Sequence, residues 1–320
     1  MRIALIGGTG FLGRHLVREL LQQGHSVRLL KHMRGETGGS IPAQEQNGPC
    51  QVFRLSMDDQ QSLVDALADC HAVAYLSGIN REREKGDFHR IHVAWLGNVI
   101  AAVKAIAADA QSPSTIPAKI VYTSFLKARP SKYSQYLQSK YDGENLLQAS
   151  GLDYTILKPG ICFGAGDQMI HNIVLGLQLL PAVAVFGAVG IKESTMRPLS
   201  AKDMALIMVA ALTENRMSKQ TIGVVGPEEI TLSVAARRVA AVLKKVLLIV
   251  HFPEPLMYML AWTLEKVSAN ALVTVSQVRM LADGLSTAEN APDSLPPDLQ
   301  PKTYFREEEI REALAVNQLK

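Results

Sequence analysis

Tyr136 and Lys140 stand four residues apart in Tyr136-Leu-Gln-Ser-Lys140, a spacing that puts both on one face of a helix. A lysine ammonium beside a phenol favours the phenolate, as does a nearby oxidised nicotinamide. Tyr136 is therefore expected to exchange a proton with a substrate hydroxyl or carbonyl while hydride moves to or from a cofactor. Ser124 ends the apolar run Ile120-Val-Tyr-Thr-Ser124, twelve residues before Tyr136, and is expected to hydrogen-bond the same oxygen. In a chain with eight tyrosines a Tyr-x-x-x-Lys match arises readily by chance. Its place just after a strand-terminal serine is what gives it weight.

Such chemistry needs a dinucleotide, and the chain opens with the elements that hold one. Arg2–Ile6 is a short apolar strand that runs into Gly7-Gly-Thr9-Gly10-Phe11-Leu12-Gly13 and then an amphipathic helix. Gly7 can take a backbone conformation closed to other residues, Gly10 lets the main chain approach phosphates, and Gly13 lets the helix pack closely on the strand. The amides at the helix start then face the negative charge of a pyrophosphate. A site selective for NAD places an acid at the end of the second strand, to hold the ribose 2′-hydroxyl. Here that end reads Lys31-His32-Met33-Arg34. Lys31, His32 and Arg34, with Arg14, would welcome a 2′-phosphate, so the cofactor is read as NADP, with NAD as the alternative.

Apolar runs of strand length alternate with helical patterns through the first half. Strands are expected at Arg2–Ile6, Ser26–Leu30, Gln51–Leu55, Ala72–Leu76, Lys119–Tyr122 and Tyr154–Leu157, and helices at Leu12–Gln23, Gln60–Ala68, Phe88–Ala108 and Tyr136–Ser150. Alternation of this kind, with runs apolar on both faces, implies an α/β protein built on a doubly wound parallel sheet of Rossmann type. Met33–Pro49 reads as a long surface loop. After Pro159 the pattern loosens: helices are expected at Gln168–Leu180 and Ala201–Thr213, strands at Ala182–Phe186 and Thr221–Val225, and a helix from Thr231 or Ser233 through Leu243. Residues 1–159 are read as a dinucleotide-binding domain and 160–320 as a smaller α/β domain, with about 195–213 packing back on the first. Asp283–Pro301 reads as irregular.

With 320 residues, 48% hydrophobic and 20% charged, composition is that of an ordinary α/β protein. The net charge of +3 and the lack of a basic stripe with interleaved aromatics exclude nucleic acid. Three scattered cysteines have no metal-ligand spacing and fit buried thiols in a reducing compartment. His71, His89 and His171 lie apart, and no metal is expected. Because the first strand starts at residue 2, no targeting peptide is read. Two apolar stretches were weighed as membrane segments. Ile173–Ile191 is broken by Pro181, Gly187 and Gly190, and Val246–Leu264 by His251, Pro253 and Pro255. Neither reads as a spanning helix, although the two apolar pieces of the second could lie on a membrane surface. Met257, Met259, Trp262 and Leu264 read most simply as core of the second domain.

Gly7-Gly-Thr-Gly-Phe-Leu-Gly13, Leu76-Ser77-Gly78, Ser124, Tyr136-x-x-x-Lys140, Lys158-Pro-Gly-Ile-Cys-Phe-Gly-Ala-Gly-Asp167 and Arg197-Pro-Leu-Ser-Ala-Lys-Asp203 together resemble the atypical and extended short-chain dehydrogenase/reductases. The branch most similar contains the NAD(P)H-binding accessory subunit of respiratory complex I. The resemblance extends to Lys302-Thr-Tyr-Phe-Arg306. It implies a C-terminal substrate domain, bound NADP(H) contacted by Gly7, Thr9, Gly10, Phe11, Leu12, Gly13, Ser77, Lys140 and Pro159, and a catalytic Ser124-Tyr136-Lys140 set. The expected activity is hydride transfer on a carbonyl or hydroxyl of a small molecule, or an epimerase variant of it. The alternative is a cofactor-binding scaffold or assembly factor for a membrane complex, cytoplasmic or peripheral on the inner face of a membrane. His92 stands where the family often has Asn, Ser56 stands where an acid commonly meets the adenine, and Lys158 replaces a usual Arg.

Overall fold

The computed structural model describes residues 1–33, 48–109, 117–179, 182–186, 193–267, 275, 278 and 286–317. The expected loop at Met33–Pro49, including Arg34, lies almost wholly outside the described residues. By contacts the chain divides into two units. One comprises Met1–Lys158, Met204–Gly223 and Glu289–Gln300, the other Pro159–Asp203, Val224–Ala288 and Pro301–Lys320.

The first unit is built on a seven-stranded sheet. β1 (Arg2–Ile6), β2 (Ser26–His32), β3 (Cys50–Leu55), β4 (Ala72–Tyr75), β5 (Ile120–Thr123) and β6 (Tyr154–Pro159) are joined by β8 (Gln220–Val224), in the order β8-β6-β5-β4-β1-β2-β3. β1 lies between β2 and β4, both parallel to it, with Ile3 opposite Val27 on one side and Ala72 on the other. The winding therefore reverses at β1, and ligands bind outside the carboxyl ends of the strands at such a reversal. β1, β4 and β5 are apolar but for Arg2 and Thr123 and almost wholly buried, as a parallel sheet covered on both faces requires.

Helices α1 (Phe11–Gln22) and α2 (Gln60–Leu67) carry the chain between strands, and Asp59 caps α2 by accepting the Ser62 amide at 3.2 Å. Asp87–Ala108 (α3) is the only helix among the described residues long and apolar enough to cross a membrane. Its Trp95, Leu96, Val99, Ala102, Val103 and Ile106 are instead buried in the main core with Leu63 and Leu67 of α2. Arg90–Ala94 forms a widened turn of π type inside α3. There the Tyr75 hydroxyl donates to the Ile91 carbonyl at 2.5 Å. Such bulges mark functional sites more often than plain helix does. α4 (Gln135–Gln148) starts where Ser134 Oγ accepts the Leu137 amide. Gly143 brings it against α3, because a Cβ there would meet the His92 carbonyl at 2.7 Å.

The second unit contains α5 (Gln168–Leu179), the first residues of α6 (Ala201–Thr213), α7 (Leu232–Val242), α8 (Glu254–Val267) and α9 (Glu307–Asn317). β7 (Ala182–Phe186) and β9 (Leu248–Phe252) form a parallel pair. β9 was not expected from sequence, since His251 and the flanking prolines hide a strand of only five residues. Met257 is buried as expected, but Met259 and Trp262 are exposed at 60% and 51%. They belong to the surface of α8 rather than to a core, which corrects the sequence reading. The side chain of Leu264 lies outside what is described.

Candidate active site

Gly7 has φ of +85°, and a Cβ on it would lie 2.5 Å from the Ser77 nitrogen. The glycine turn is thus pressed against the chain leaving β4, and no larger residue fits. Gly10 N donates to the Gly7 carbonyl at 3.0 Å, closing the turn. Gly10 offers no side-chain cap to α1, so the first helix amides are presented to a ligand. Phe11 and Leu12 at that start are half-buried. The cradle fits a dinucleotide pyrophosphate.

A cleft of about 690 Å³ opens beside this turn. Gly7, Thr9 and Ser77 line it at the turn, and Lys31, His32, Ser56, Met57 and Asp58 line it toward β2 and β3. Arg14 is turned back on the loop, its guanidinium donating to the Thr9 carbonyl at 3.0 Å. His32 does not stand as a free cation for phosphate. Its ring packs on Trp95 with centroids 4.5 Å apart, and its Nδ1 accepts the Met57 amide at 3.3 Å. Among the described residues, Lys31 is the cation of the β2 end that faces the cleft.

Arg81, Arg83 and Arg90 also line the cleft. Asp87 organises this segment. It accepts the Arg83 and Glu84 amides at 3.2 and 3.0 Å, and Arg90 donates to it at 2.6 Å. Those amides and the guanidinium hold its carboxyl below the usual range, the Glu84 amide contributing most. That the chain leaving β4 and the first turn of α3 would set three arginines beside a nucleotide cradle was not legible from spacing. Only the position after β4 hinted at it.

The carboxyl ends of β4 and β5 bring the catalytic candidates together. Lys140 is 5% exposed. Its Nζ donates to the Thr123 carbonyl at 3.1 Å and lies 3.0 Å from where a Cβ on Gly78 would be. Burial pulls its pKa down to about 8, with Glu144 opposing. Tyr136, one turn earlier, is half-buried. Its ring is ringed by those of Phe88, His92 and Phe125 at centroid distances of 5.6, 5.8 and 5.5 Å. This apolar setting raises its phenol pKa and keeps Tyr136 protonated until a cation arrives beside it.

His92 is fully buried and neutral. Its Nε2 accepts the Ile79 amide at 3.1 Å, which leaves the proton on Nδ1 to donate to Ser139 Oγ at 2.8 Å. Ser139 in turn donates to the Tyr136 carbonyl at 3.0 Å. Burial, aided by Lys140, pushes the imidazole pKa down to about 2. His92 therefore ties the loop after β4 to the helix of Tyr136 and Lys140.

Ser124 is buried, and its hydroxyl donates to Glu144. Glu144 also holds Lys158, whose Nζ lies 2.8 and 2.9 Å from the two carboxylate oxygens and donates to the Ala128 carbonyl at 3.1 Å. Burial pushes the Glu144 carboxyl up, against the opposing pull of Lys158. The Ser124 proton is thus engaged inside the protein. Sequence reasoning missed Glu144. Its one signal was a carboxylate four residues past Lys140, on the same helix face. Pro159 closes β6 beside Lys158. Among the described residues no group of three or more His, Cys, Asp and Glu side chains is placed to hold a metal ion.

A family model described as NAD(P)H-binding matches residues 7–168. Among curated proteins, a ceramide reductase of Caulobacter vibrioides is 27% identical over 65% of this chain and 60% of its own length. The mitochondrial 40 kDa subunit of the NADH-ubiquinone oxidoreductase of Neurospora crassa is 20% identical over 82% of this chain and 65% of its own. The chain thus spans about three fifths of the length of these relatives. Among solved structures, the UDP-glucuronic acid 4-epimerase of Bacillus cereus in complex with NAD is similar in fold, with a TM-score of 0.71, 18% identity, and coverage of 100% of this chain and 97% of that one.

Proposed function

The chain belongs to the NAD(P)H-binding family, and from that premise we propose that it is an NADP(H)-dependent oxidoreductase acting on a carbonyl or hydroxyl. The observation that carries this reading is a buried Lys140 held on the Thr123 carbonyl at the end of β5 and beside Gly78, with Tyr136 one helical turn before it among the rings of Phe88, His92 and Phe125. The bound cofactor supplies or accepts the hydride. In the reducing direction Tyr136, kept protonated by its apolar surroundings, gives its proton to the carbonyl oxygen that becomes the hydroxyl. Lys140 then stabilises the phenolate, and solvent restores the proton. The reading of NADP over NAD is supported by the acid-free end of β2 and by Lys31 and three arginines lining one cleft.

The test is nicotinamide oxidation with a panel of aldehydes and ketones. Tyr136→Phe should lose roughly 10²- to 10⁴-fold in turnover with NADPH affinity unchanged. Turnover equal to the parent's would sink the assignment. Lys31→Glu should lower the ratio of NADPH to NADH affinity by roughly tenfold or more, and an unchanged ratio would count against the 2′-phosphate contact.

One observation favours a second reading, a cofactor-stabilised scaffold for a membrane complex. Ser124 donates its hydroxyl to Glu144, which removes a hydrogen bond that a reductase would offer its substrate. Under this reading NADPH raises the melting temperature, but no carbonyl in the panel oxidises it. Native mass spectrometry of the purified protein would show whether NADP(H) and a second small molecule co-purify.

A further inference from the structure

Of the eleven large apolar side chains exposed among the described residues, five fall between Val246 and Trp262. Three of them, Leu256, Met259 and Trp262, recur every three residues along α8, so they form one stripe on its surface. The other side of the helix is satisfied: Met257 and Ala261 are 3% and 0% exposed and pack with Val278. Lys266 continues the stripe, with its ammonium 3.7 Å from the centroid of the Trp262 ring. Val246 and Leu248 precede the helix, at 83% and 62% exposure, and directly follow the exposed pair Lys244-Lys245.

We propose that this face of α8 docks on the surface of an anionic lipid bilayer, with Leu256, Met259 and Trp262 entering the headgroup boundary and lysines meeting lipid phosphates. An apolar stripe with an indole at its end suits the interface, where the ring lies at headgroup level and a neighbouring ammonium reaches water and phosphate. Lys266 beside the Trp262 ring, with the exposed Lys244 and with Lys245, whose Nζ also donates to the Leu177 carbonyl at 3.2 Å, supplies positive charge that complements anionic lipid. A second copy of the chain is a poorer occupant. Three half-exposed side chains offer on the order of 300 Å², well short of the roughly 800 Å² per partner of a stable protein interface. The proposal stands apart from the nicotinamide chemistry, because every residue in it belongs to the second unit.

The chain's two tryptophans make the test direct. Trp95 is 6% exposed and Trp262 51%, so quenching from outside reports on Trp262. The full chain is mixed with vesicles of phosphatidylcholine alone or with about 30% phosphatidylglycerol, carrying brominated acyl chains. The expected result is co-sedimentation and quenching with the anionic vesicles, both lost at high salt. Lys244→Ala with Lys245→Ala should weaken partitioning by roughly tenfold or more. Trp262→Phe should abolish quenching and keep most of the binding. Met259→Glu with Trp262→Glu should abolish binding, while circular dichroism and NADPH affinity report an intact fold. No binding to anionic vesicles would overturn the proposal, as would binding without quenching or binding that survives the double glutamate variant. A dimer in light scattering that the same variant splits would overturn it in favour of a second copy.

Discussion

Replacing Gly7, Gly13 and Gly24 one at a time by alanine separates two demands that the nucleotide cradle makes on its glycines. Gly7 and Gly24 share a left-handed backbone, with φ of +85° and +77°, so alanine costs about 1–2 kcal/mol at either from that source. Around Gly24 a Cβ would meet nothing within 4 Å, whereas at Gly7 it would press on the backbone of Leu76 and Ser77 at 2.5–2.8 Å. Backbone cannot rotate away as a side chain can, so overpacking adds roughly 1–3 kcal/mol, giving Gly7→Ala a total of about 2–5 kcal/mol. Gly13 isolates the second demand. It lies inside α1, where alanine by itself would stabilise the helix by about 1 kcal/mol. Its Cβ would instead meet the Gly7 carbonyl at 2.4 Å and Gly8 at 2.6 Å, which reverses the sign. Urea titration of each variant gives the stabilities, and nicotinamide fluorescence gives NADPH affinity. Gly7→Ala and Gly13→Ala should destabilise and lose affinity, while Gly24→Ala should lose only stability. A Gly13→Ala protein more stable than the parent, or equal costs at Gly7 and Gly24, would refute the close approach of turn, helix and β4 exit.

Three further outcomes follow from the site. His92 stays neutral far below pH 6.5, because burial holds its pKa at about 2. The unfolded chain takes up a proton there and the folded one does not, so stability falls as pH drops from 6.5, by about 2 kcal/mol at pH 5. His92→Asn, able to accept from Ile79 and donate to Ser139, should remove that loss in melts at pH 7.5 and 5, and an undiminished acid loss would refute the bridge. Lys140 has the opposite window. With its pKa lowered to about 8 from 10.5, the unfolded state holds more protons between those values, so stability should rise with pH across that range. The rise should vanish in Lys140→Met, and a rise that persists there belongs to another group. Lys158→Met leaves Glu144 charged and buried, which costs roughly 3–5 kcal/mol. Adding Glu144→Gln should recover much of that cost, and strictly additive losses in the double-mutant cycle would show that the pair is not coupled.

Much of the first unit was legible because its signals are local. A strand apolar on both faces, a glycine turn with no spare residue and a helix with a clear stripe can be read within twenty residues, and β1 to β6 stand close to where the sequence puts them. That Tyr136 and Lys140 share one helix was legible for the same reason, since the helical pattern is local. The expected strand at Ala72–Leu76 ends at Tyr75, where the chain leaves the sheet to press on Gly7 and Lys140. Glu144 and Lys158 were not legible as partners. Fourteen residues and a strand crossing separate them, and only the sheet brings them within 3 Å. The same holds for His32, which the sequence offers as a phosphate cation and the fold stacks on Trp95.

What the sequence determined by itself is the alternation of strands and helices, the place of the glycine cradle and the setting of Tyr136 and Lys140 on one helix, because each follows from backbone sterics or a local hydrophobic period. Tertiary structure alone decided how those groups are tuned and engaged. Burial lowers Lys140 and raises Tyr136, the Ser124 proton goes to Glu144, and three arginines from the β4 exit and α3 stand beside the cradle. Desolvation and charge pairing depend on neighbours distant in sequence. The same division explains Trp262, whose residue type suits a core and whose exposure was settled only by which side of α8 the rest of the chain covers.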